Sequence, residues 1–269
     1  MSRATHTNIP QFWPHFGAPE NVSLCLDKIL QNMGLDYIDL YLAHWPCVWQ
    51  PLSTSAIQSA KAGHGTSPED KGYATGHDGK PVIDWEHSTA HLAELAGKKG
   101  SFVPTWKAMQ ECVRSGKARA VGVSNFTIAD LKEVLAEEGD VPVSCNQIEV
   151  HPWLPQTALV NFGNEHGVLT TCYSPFAGQK KDGATLLKDA KVMELARKNG
   201  MDVGQLLGSW AVQRGTVPLG KSATRERIRS NLAVKKLSEE DMKTLDGMEV
   251  ANGEGRTVIQ DWGVPLFQE

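Results

Sequence analysis

The 269-residue sequence has no long apolar run, no excess of basic charge and no closely spaced cysteine pair. No apolar stretch approaches the roughly 18 residues that a membrane span needs, and residues 1–14 lack the apolar core of a signal peptide. With 27 basic and 31 acidic side chains the net charge is -4, which predicts neither nucleic acid nor a membrane surface as a partner. Five widely separated cysteines are typical of buried thiols in a reducing compartment, so we expect a cytoplasmic protein.

The composition also lacks any strong bias. Hydrophobic residues make up 41% and charged residues 22%, with 25 glycines and 14 prolines, which excludes a disordered, collagen-like or disulfide-scaffolded chain. The pattern G-x-G-x-x-G does not occur, which disfavours a doubly wound dinucleotide-binding sheet. We therefore expect an ordinary globular protein with a sizeable core.

Strand and helix patterns alternate along most of the chain. Apolar residues at helical spacing predict a helix from Glu20 to Met33 that ends at Gly34, followed by a short strand at 37–44. The other predicted strands are 4–8, 118–123, 143–150, 168–173 and 216–219, and the other predicted helices are 104–116, 128–138, 156–166, 187–198, 203–214, 225–234 and 239–248. This alternation predicts an α/β fold with a parallel sheet of about six strands.

Six strands are fewer than a closed parallel barrel requires. The usual TIM barrel closes with eight, so the count indicates either an open sheet or an incomplete (β/α)8 barrel. We predict a single domain over residues 1–269. Residues 51–100 show no sustained periodicity and are predicted to form a long loop excursion, and residues 247–269 are predicted to form a C-terminal tail.

His44 is the first candidate for chemistry. It stands at the end of a predicted parallel strand, directly before Trp45-Pro46, and barrel enzymes place catalytic groups at the carboxyl ends of their strands. A core histidine that donates to a backbone carbonyl is the alternative interpretation of this residue taken alone.

His44 belongs to a series of five short motifs. Ala43-His44-Trp45-Pro46 is followed in order by Gly122-Val123-Ser124-Asn125-Phe126, Asn146-Gln147-Ile148-Glu149-Val150-His151-Pro152, Tyr173-Ser174-Pro175 and Gly220-Lys221-Ser222. In this order the motifs resemble those of the aldo-keto reductases, from about residue 21 to residue 246. The resemblance implies a (β/α)8 barrel that binds NADPH in extended form across the carboxyl ends of its strands. Relative to that barrel, the sequence resembles an N-terminally shortened member without the first two βα units.

The resemblance also implies roles for individual residues at the nicotinamide end of the cofactor. Ser124 and Asn125 match the pair that holds the carboxamide, assisted by Gln147, and Tyr173 matches the residue whose ring stacks on the nicotinamide. The segment from Ser174 to Ala177 is implied to follow the pyrophosphate.

The stretch from Lys221 to Asn231 places a cation and hydroxyls before a predicted helix, which is a natural anion site. The resemblance assigns Lys221, Ser222 and Arg227 to the 2'-phosphate and Asn231 to the adenine, which favours NADPH over NADH. A solvated, capped helix face is the alternative. Ser230 departs from the family, which commonly has Glu beside the adenine.

The family reaction uses a Tyr, a Lys, an Asp and a His, and only the His has a match here, in His44. Thr5-His6-Thr7-Asn8 is the best match to the phrase that carries the Lys, which puts Asn8 at its position. The resemblance therefore implies an incomplete tetrad in which His44 would donate the proton. By the same resemblance, Trp13 and Trp45 line an apolar substrate pocket.

Other polar and aromatic residues are interpreted as structural. Tyr37 and Tyr41 lie within the strand of His44 and are expected to fill the core. His87 and His91 have zinc-compatible spacing but no evident third ligand, so no metal is predicted. Three further histidines, His15, His64 and His77, are expected to be exposed.

These observations favour an NADPH-dependent oxidoreductase that acts on a small-molecule carbonyl compound. Two alternatives stay open: a non-redox isomerase, dehydratase or cyclase that uses His44 as acid or base, and a non-catalytic NADPH-binding protein. An open sheet would leave two unpaired edges, which predicts either self-association or edges covered by the N-terminal residues and the excursion.

Overall fold

A computed structural model describes residues 9–60, 72–179 and 183–268 of the chain. The chain divides into two compact units, the first comprising Met1–Asn146 and Gln260–Glu269 and the second Gln147–Ile259. The predicted strand at 4–8 lies outside the described residues. Within the described ranges, no helix is long and apolar enough to cross a membrane.

Parallel strands form the main sheet. The strands are β1 (Gln11–Phe12), β2 (Tyr41–Ala43), β5 (Val121–Ser124), β6 (Val143–Glu149), β7 (Leu169–Tyr173) and β8 (Val217–Pro218), hydrogen-bonded in that order. β1 pairs parallel with β2, β2 with β5, and β7 with β8. This confirms the prediction of an α/β fold with about six parallel strands.

The helices occur mainly where apolar periodicity predicts them. In the first unit they are α1 (Pro19–Met33), α2 (Thr54–Ser59), α3 (Ala90–Leu95), α4 (Val103–Arg114) and α5 (Ile128–Leu135); in the second they are α6 (Thr157–Glu165), α7 (Ala190–Lys198), α8 (Val203–Gln213), α9 (Arg225–Leu232) and α10 (Glu239–Asp246). α1 ends at Gly34, whose φ of 62° is in the left-handed region that glycine adopts at low cost.

The core of the first unit shows why β2 and α1 have their sequences. The Tyr41 ring is fully buried and its hydroxyl donates to the Val22 carbonyl of α1 at 3.1 Å, so Tyr41 is a structural residue. Gly122 lies where neighbouring strands approach closely: a Cβ there would lie 2.6 Å from the Cys145 carbonyl oxygen and 2.9 Å from Leu42 Cδ2. Glycine therefore permits the tight sheet packing beside β5.

Residues 51–100 contain short regular elements as well as loops. β3 (Val48–Trp49) and β4 (Ile83–Asp84) pair antiparallel, and α2 and α3 lie between and after them. The segment is fastened to α5 because Thr89 Oγ1 donates to Asp130 at 2.5 Å and the Ala90 amide donates to Glu133 at 2.8 Å. Elements of two to six residues are too short to show a hydrophobic period, which is why the sequence indicates only a loop here.

The second unit contains one helix unlike the rest. In α8 the buried residues include Trp210, whose indole donates to Asp246 at 2.9 Å, and Asp202 caps the helix start. In α9, by contrast, no residue is buried. A helix that buries no side chain gains little stability from packing. The more informative feature of α9 is the cavity next to it.

Candidate functional site

His44 follows β2 at its carboxyl end. Its backbone amide donates to the Phe12 carbonyl at 3.1 Å, and its side chain is half-buried. The imidazole meets the Trp13 ring edge-on, with 5.0 Å between ring centroids, and stacks on Trp45 at 5.8 Å. A titratable ring thus lies beside an apolar aromatic surface.

Ser124 and Asn125 lie beside His44 because β2 and β5 are parallel and in register. Ala43 pairs with Val123, so the next residue of each strand also falls side by side. The Asn125 amide Nδ2 donates to the His44 carbonyl at 2.9 Å and to Ser124 Oγ at 3.2 Å. Asn125 is buried and has a φ of 63°, a strained value for an asparagine that this pair of bonds helps to hold.

Four tryptophans, Trp13, Trp45, Trp49 and Trp262, form a tryptophan cluster next to His44. Trp262 lies 4.8 Å from both Trp45 and Trp49, centroid to centroid, and 6.2 Å from Trp13. Trp45 and Trp49 are buried, whereas Trp13 and Trp262 are partly exposed. Sequence reasoning missed Trp262, which is separated from the other three by most of the chain.

His15 corrects one prediction. It was expected to be exposed, yet it is 2% exposed, because it lies in a short 3-10 turn, Pro14–Phe16, whose three residues are all buried. Its ring packs 4.5 Å from Phe16 and 5.8 Å from Tyr73. His77 is exposed as predicted, and His64 lies outside the described residues.

The two histidines with zinc-compatible spacing have separate partners. His87 Nδ1 lies 2.8 Å from Asp84 Oδ2, and His91 Nε2 lies 2.9 Å from the Gln268 carbonyl oxygen. Across residues 9–60, 72–179 and 183–268, no group of three or more His, Cys, Asp or Glu side chains could hold a metal ion. The five cysteines are buried thiols, and burial raises the pKa of Cys47 to about 12.

A cavity of about 550 Å³ in the second unit contains four of the predicted cofactor residues. Its lining consists of Phe176, Leu187, Asp202, Val203, Gly204, Lys221, Ser222, Ala223, Thr224, Arg227 and Asn231. Lys221, Ser222, Arg227 and Asn231 therefore lie around one cavity. We call this the α9 cavity, since the first turn of α9 forms one of its walls.

The α9 cavity has the electrostatics of an anion site. Thr224 precedes α9 and makes no side-chain cap, so its side chain does not occupy the amides of the first helical turn. Lys221 and Arg227 are exposed, and among the described residues neither forms an ion pair with a carboxylate. Asp202, the acidic residue of the lining, accepts from the Gln205 amide at 2.8 Å. Two cations and a helix start fit a phosphate dianion.

Glycines let the cavity walls approach one another. A Cβ on Gly220 would lie 2.9 Å from Phe176 Cζ and 3.0 Å from Asn231 Nδ2, and one on Gly204 would lie 3.0 Å from Asn231 Oδ1. The Asn231 side-chain amide therefore lies between the backbone at Gly204 and the backbone at Gly220, with its oxygen near Gly204 and its nitrogen near Gly220.

Tyr173 ends β7 and belongs to a buried polar network. Its side chain hydrogen-bonds Arg256, and burial, together with nearby Glu149, raises its pKa above the ordinary range although Arg256 opposes the shift. Glu149 is fully buried and accepts from the Thr257 amide at 2.8 Å and from the Thr257 hydroxyl. Gln147 lies half-buried two residues earlier on the same face of β6.

Sequence reasoning missed the partners of Tyr173. Glu149 lies inside a quoted motif, but Arg256 and Thr257 lie in the predicted tail, 108 residues from Glu149 in the case of Thr257. Nothing local in residues 247–269 indicates that the segment is anchored on a buried carboxylate. Ser174, by contrast, begins a turn with φ of 47°, and Ala177 donates its amide to the Ser174 carbonyl at 2.8 Å.

Comparison with known proteins decides the family. The sequence model of the Aldo/keto reductase family matches residues 4–250. The chain belongs to the aldo-keto reductase family. An aldehyde reductase of Saccharomyces cerevisiae is 40% identical over 245 residues, which cover 90% of this chain and 70% of the relative. A glycerol 2-dehydrogenase (NADP(+)) of the same yeast is 36% identical over 242 residues, covering 89% and 69%.

Solved structures agree with this assignment. The aldose reductase of Schistosoma japonicum superposes on this aldo-keto reductase chain with a TM-score of 0.71 and 26% identity, covering 94% of this chain and 72% of that one. The family resemblance read from the five motifs is thereby confirmed, and the chain is an oxidoreductase of aldo-keto reductase type.

The Glu149 network generates a prediction about pH. Burial opposes ionisation of Glu149, but hydrogen bonds from His151 and Thr257 outweigh it and lower its pKa. A carboxyl group whose folded pKa is depressed stabilises the fold above its unfolded pKa of about 4.3 and loses that contribution as pH falls through the folded value. We expect Glu149→Gln to lower the free energy of unfolding at pH 7 by about 1–3 kcal/mol.

Urea unfolding at several pH values checks this. The deficit of Glu149→Gln relative to wild type should shrink between about pH 5 and pH 3, since the wild-type carboxylate loses its advantage there. Glu254→Gln, which changes an exposed carboxylate in the same unit, serves as the matched control and should leave stability within about 0.5 kcal/mol. A deficit independent of pH would contradict the assignment.

Proposed function

We propose that the chain is an NADPH-dependent oxidoreductase that interconverts a carbonyl compound and its alcohol, with His44 as the catalytic acid and base. The observation that carries the proposal is the α9 cavity, which gathers Lys221, Ser222, Arg227 and Asn231 around one space. The yeast relative at 36% identity is named as an NADP(+)-dependent dehydrogenase, which supports the same cofactor.

The residues of the α9 cavity fit the adenosine end of NADP(H). Arg227 can donate two parallel hydrogen bonds to a 2'-phosphate, and Lys221 adds a second positive charge. Ser222 Oγ accepts from the Thr224 amide at 3.1 Å and donates to the Thr224 carbonyl at 3.4 Å, so its hydroxyl would turn from that carbonyl to donate to a phosphate oxygen. The Asn231 amide offers a donor and an acceptor to the adenine edge. NADH lacks the 2'-phosphate and would leave both cations unneutralised.

The residues assigned to the nicotinamide end are Ser124, Asn125, Gln147 and Tyr173. The bond from Asn125 Nδ2 to the His44 carbonyl fixes the amide plane, so Oδ1 has a set direction in which to accept from a carboxamide. The Tyr173 ring offers the flat face for stacking. Residues Ser174 to Ala177 would follow the pyrophosphate, with Ala177 at a φ of 54°.

His44 carries the proton in this proposal. A bound NADPH would supply the hydride for the carbonyl carbon, and the electron pair of the C=O bond would pass to the oxygen. The imidazolium of His44 donates its proton to that oxygen, and the reverse reaction returns it. Of the family's four catalytic residues, His44 is the one matched here, and Asn8 at the lysine position lies outside the described residues.

The tryptophan cluster indicates the kind of carbonyl compound. Trp13, whose ring meets His44 edge-on, and Trp262 are only partly buried in the tryptophan cluster. An aromatic surface of this kind favours an apolar carbonyl compound over a charged one.

Binding of the cofactor tests the α9 cavity. Arg227→Ala should weaken NADPH binding about 10- to 100-fold, because a charge-assisted hydrogen bond pair is lost, and should change NADH binding much less. Quenching of tryptophan fluorescence measures both affinities. Arg229→Ala is the matched control, since Arg229 is on the same helix but does not line the cavity. Equal effects of the two variants on NADPH would contradict the assignment.

Turnover tests His44. His44→Ala should lower kcat for NADPH oxidation with an apolar aldehyde by about 10²–10⁴ while NADPH affinity stays unchanged. His77→Ala, at an exposed histidine, serves as the control. A wild-type rate no greater than that of His44→Ala would refute the redox function, and product formation without NADPH consumption would favour the isomerase, dehydratase or cyclase alternative.

We also propose that the chain self-associates through an outer strand of its sheet. β8 is an outer strand in the described order, and Val217 and Leu219 are 41% and 40% exposed there. Val217→Lys should shift the protein toward monomer in sedimentation velocity, because edge charges oppose strand pairing. Val212→Lys, at a similarly exposed valine on α8, should not. A wild-type monomer at every concentration would exclude the association.

A further inference from the structure

A segment of the second unit, residues 256–258, is fastened to the buried Glu149. The Thr257 amide and the Val258 amide donate to the two Glu149 oxygens at 2.8 Å and 3.1 Å, and the Thr257 hydroxyl donates as well. His151 Nε2 lies 3.0 Å from the same carboxylate, and both Glu149 and His151 are fully buried. A buried carboxylate with this many donors is a strong anchor, because removing any one of them leaves charge undersatisfied.

The same segment holds both ends of the turn at residues 173–178, which we call the cofactor loop. At one end Arg256 hydrogen-bonds the Tyr173 side chain. At the other end the Gly178 amide donates to Thr257 Oγ1 at 3.0 Å. Thr257 is thus a relay, since its hydroxyl donates to Glu149 and accepts from Gly178.

The cofactor loop needs such support. Ser174 and Ala177 have φ values of 47° and 54°, which cost energy for residues other than glycine and persist only where surrounding bonds hold them. Gly178 also allows the close approach, because a Cβ there would lie 3.0 Å from Thr257 Oγ1. The contacts from residues 256–258 are the nonlocal bonds that supply this support.

We propose that Arg256 and Thr257 are positioning residues for the cofactor, anchored on Glu149 and acting through the cofactor loop. The inference rests on the proposed NADPH function for its consequence, since Tyr173 and the turn after it are the residues assigned to the nicotinamide and pyrophosphate. Arg256 is a positioning residue rather than a ligand, because its side chain is 12% exposed and its guanidinium lies 3.8 Å from Glu149.

A matched pair at Thr257 tests the relay. Thr257→Val keeps the shape but removes the hydroxyl, whereas Thr257→Ser keeps the hydroxyl. For Thr257→Val we expect amide exchange of residues 173–178 in the free protein to become about tenfold faster, and the Kd for NADPH to rise about tenfold. The kcat at saturating NADPH should change by no more than about twofold, since the acid is untouched. Thr257→Ser should keep the amide exchange of residues 173–178 and the Kd for NADPH near their wild-type values. Thr244→Val on α10 should alter neither quantity.

A second pair, at Arg256, keeps the inference testable if the valine variant does not fold. Arg256→Gln removes the cation that bridges Glu149 and Tyr173, and Arg256→Lys retains the charge without the forked geometry. We expect the Kd for NADPH to rise about tenfold or more in Arg256→Gln and less in Arg256→Lys. In both variants kcat at saturating NADPH should again change by no more than about twofold.

The outcomes separate the two claims. If wild type binds NADPH and the Thr257→Val and Arg256→Gln variants bind it equally well, the positioning role is overturned while the proposed function stands. If wild type does not bind NADPH, the proposed function fails, and the exchange rates still decide whether the segment holds the loop: unchanged exchange at residues 173–178 in both variants overturns the inference.

Discussion

Parallel pairing between short strands is the constraint on which this account depends. Because β2 and β5 run in the same direction and in register, the residues that follow them emerge side by side, and Asn125 can hold the His44 carbonyl through one amide bond. An antiparallel pairing would place those residues at opposite edges of the sheet. The position of the titratable ring is therefore a consequence of sheet topology, and the aromatic surface beside it follows from residues 45 and 49 lying just beyond the strand.

In the second unit, the residues around α9 form the site proposed for the phosphate of the cofactor. α9 buries none of its residues and presents an uncapped first turn and exposed cations to a cavity. For folding alone, this arrangement contributes little, since like charges repel and none of the α9 residues is buried. A phosphate that neutralises the cations and accepts from the helix start removes the cost. The sequence of α9 therefore supports the proposed phosphate site.

Much of the fold and of the candidate site can be predicted from the sequence, and each feature that was missed has a specific physical reason. The long helices and the central strands were predicted with bounds shifted by a few residues, since their apolar faces repeat over several turns. The short β3, β4, α2 and α3 were missed because elements of so few residues show no hydrophobic periodicity. His15 was wrongly placed at the surface, since a 3-10 turn buried on all sides has no sequence signature. The motif residues of the α9 cavity were found because they are local in sequence, whereas Trp262, Arg256 and Thr257 reach their partners only through the folded chain.

The proposal to be tested is hydride transfer to a carbonyl compound with His44 as the proton donor. The most direct measurement uses NADPH deuterated at both C4 hydrogens, an apolar aldehyde and mass spectrometry of the product. We expect an alcohol that carries one deuterium on the carbinol carbon. A product without deuterium, or one with the mass of the starting compound, would contradict it.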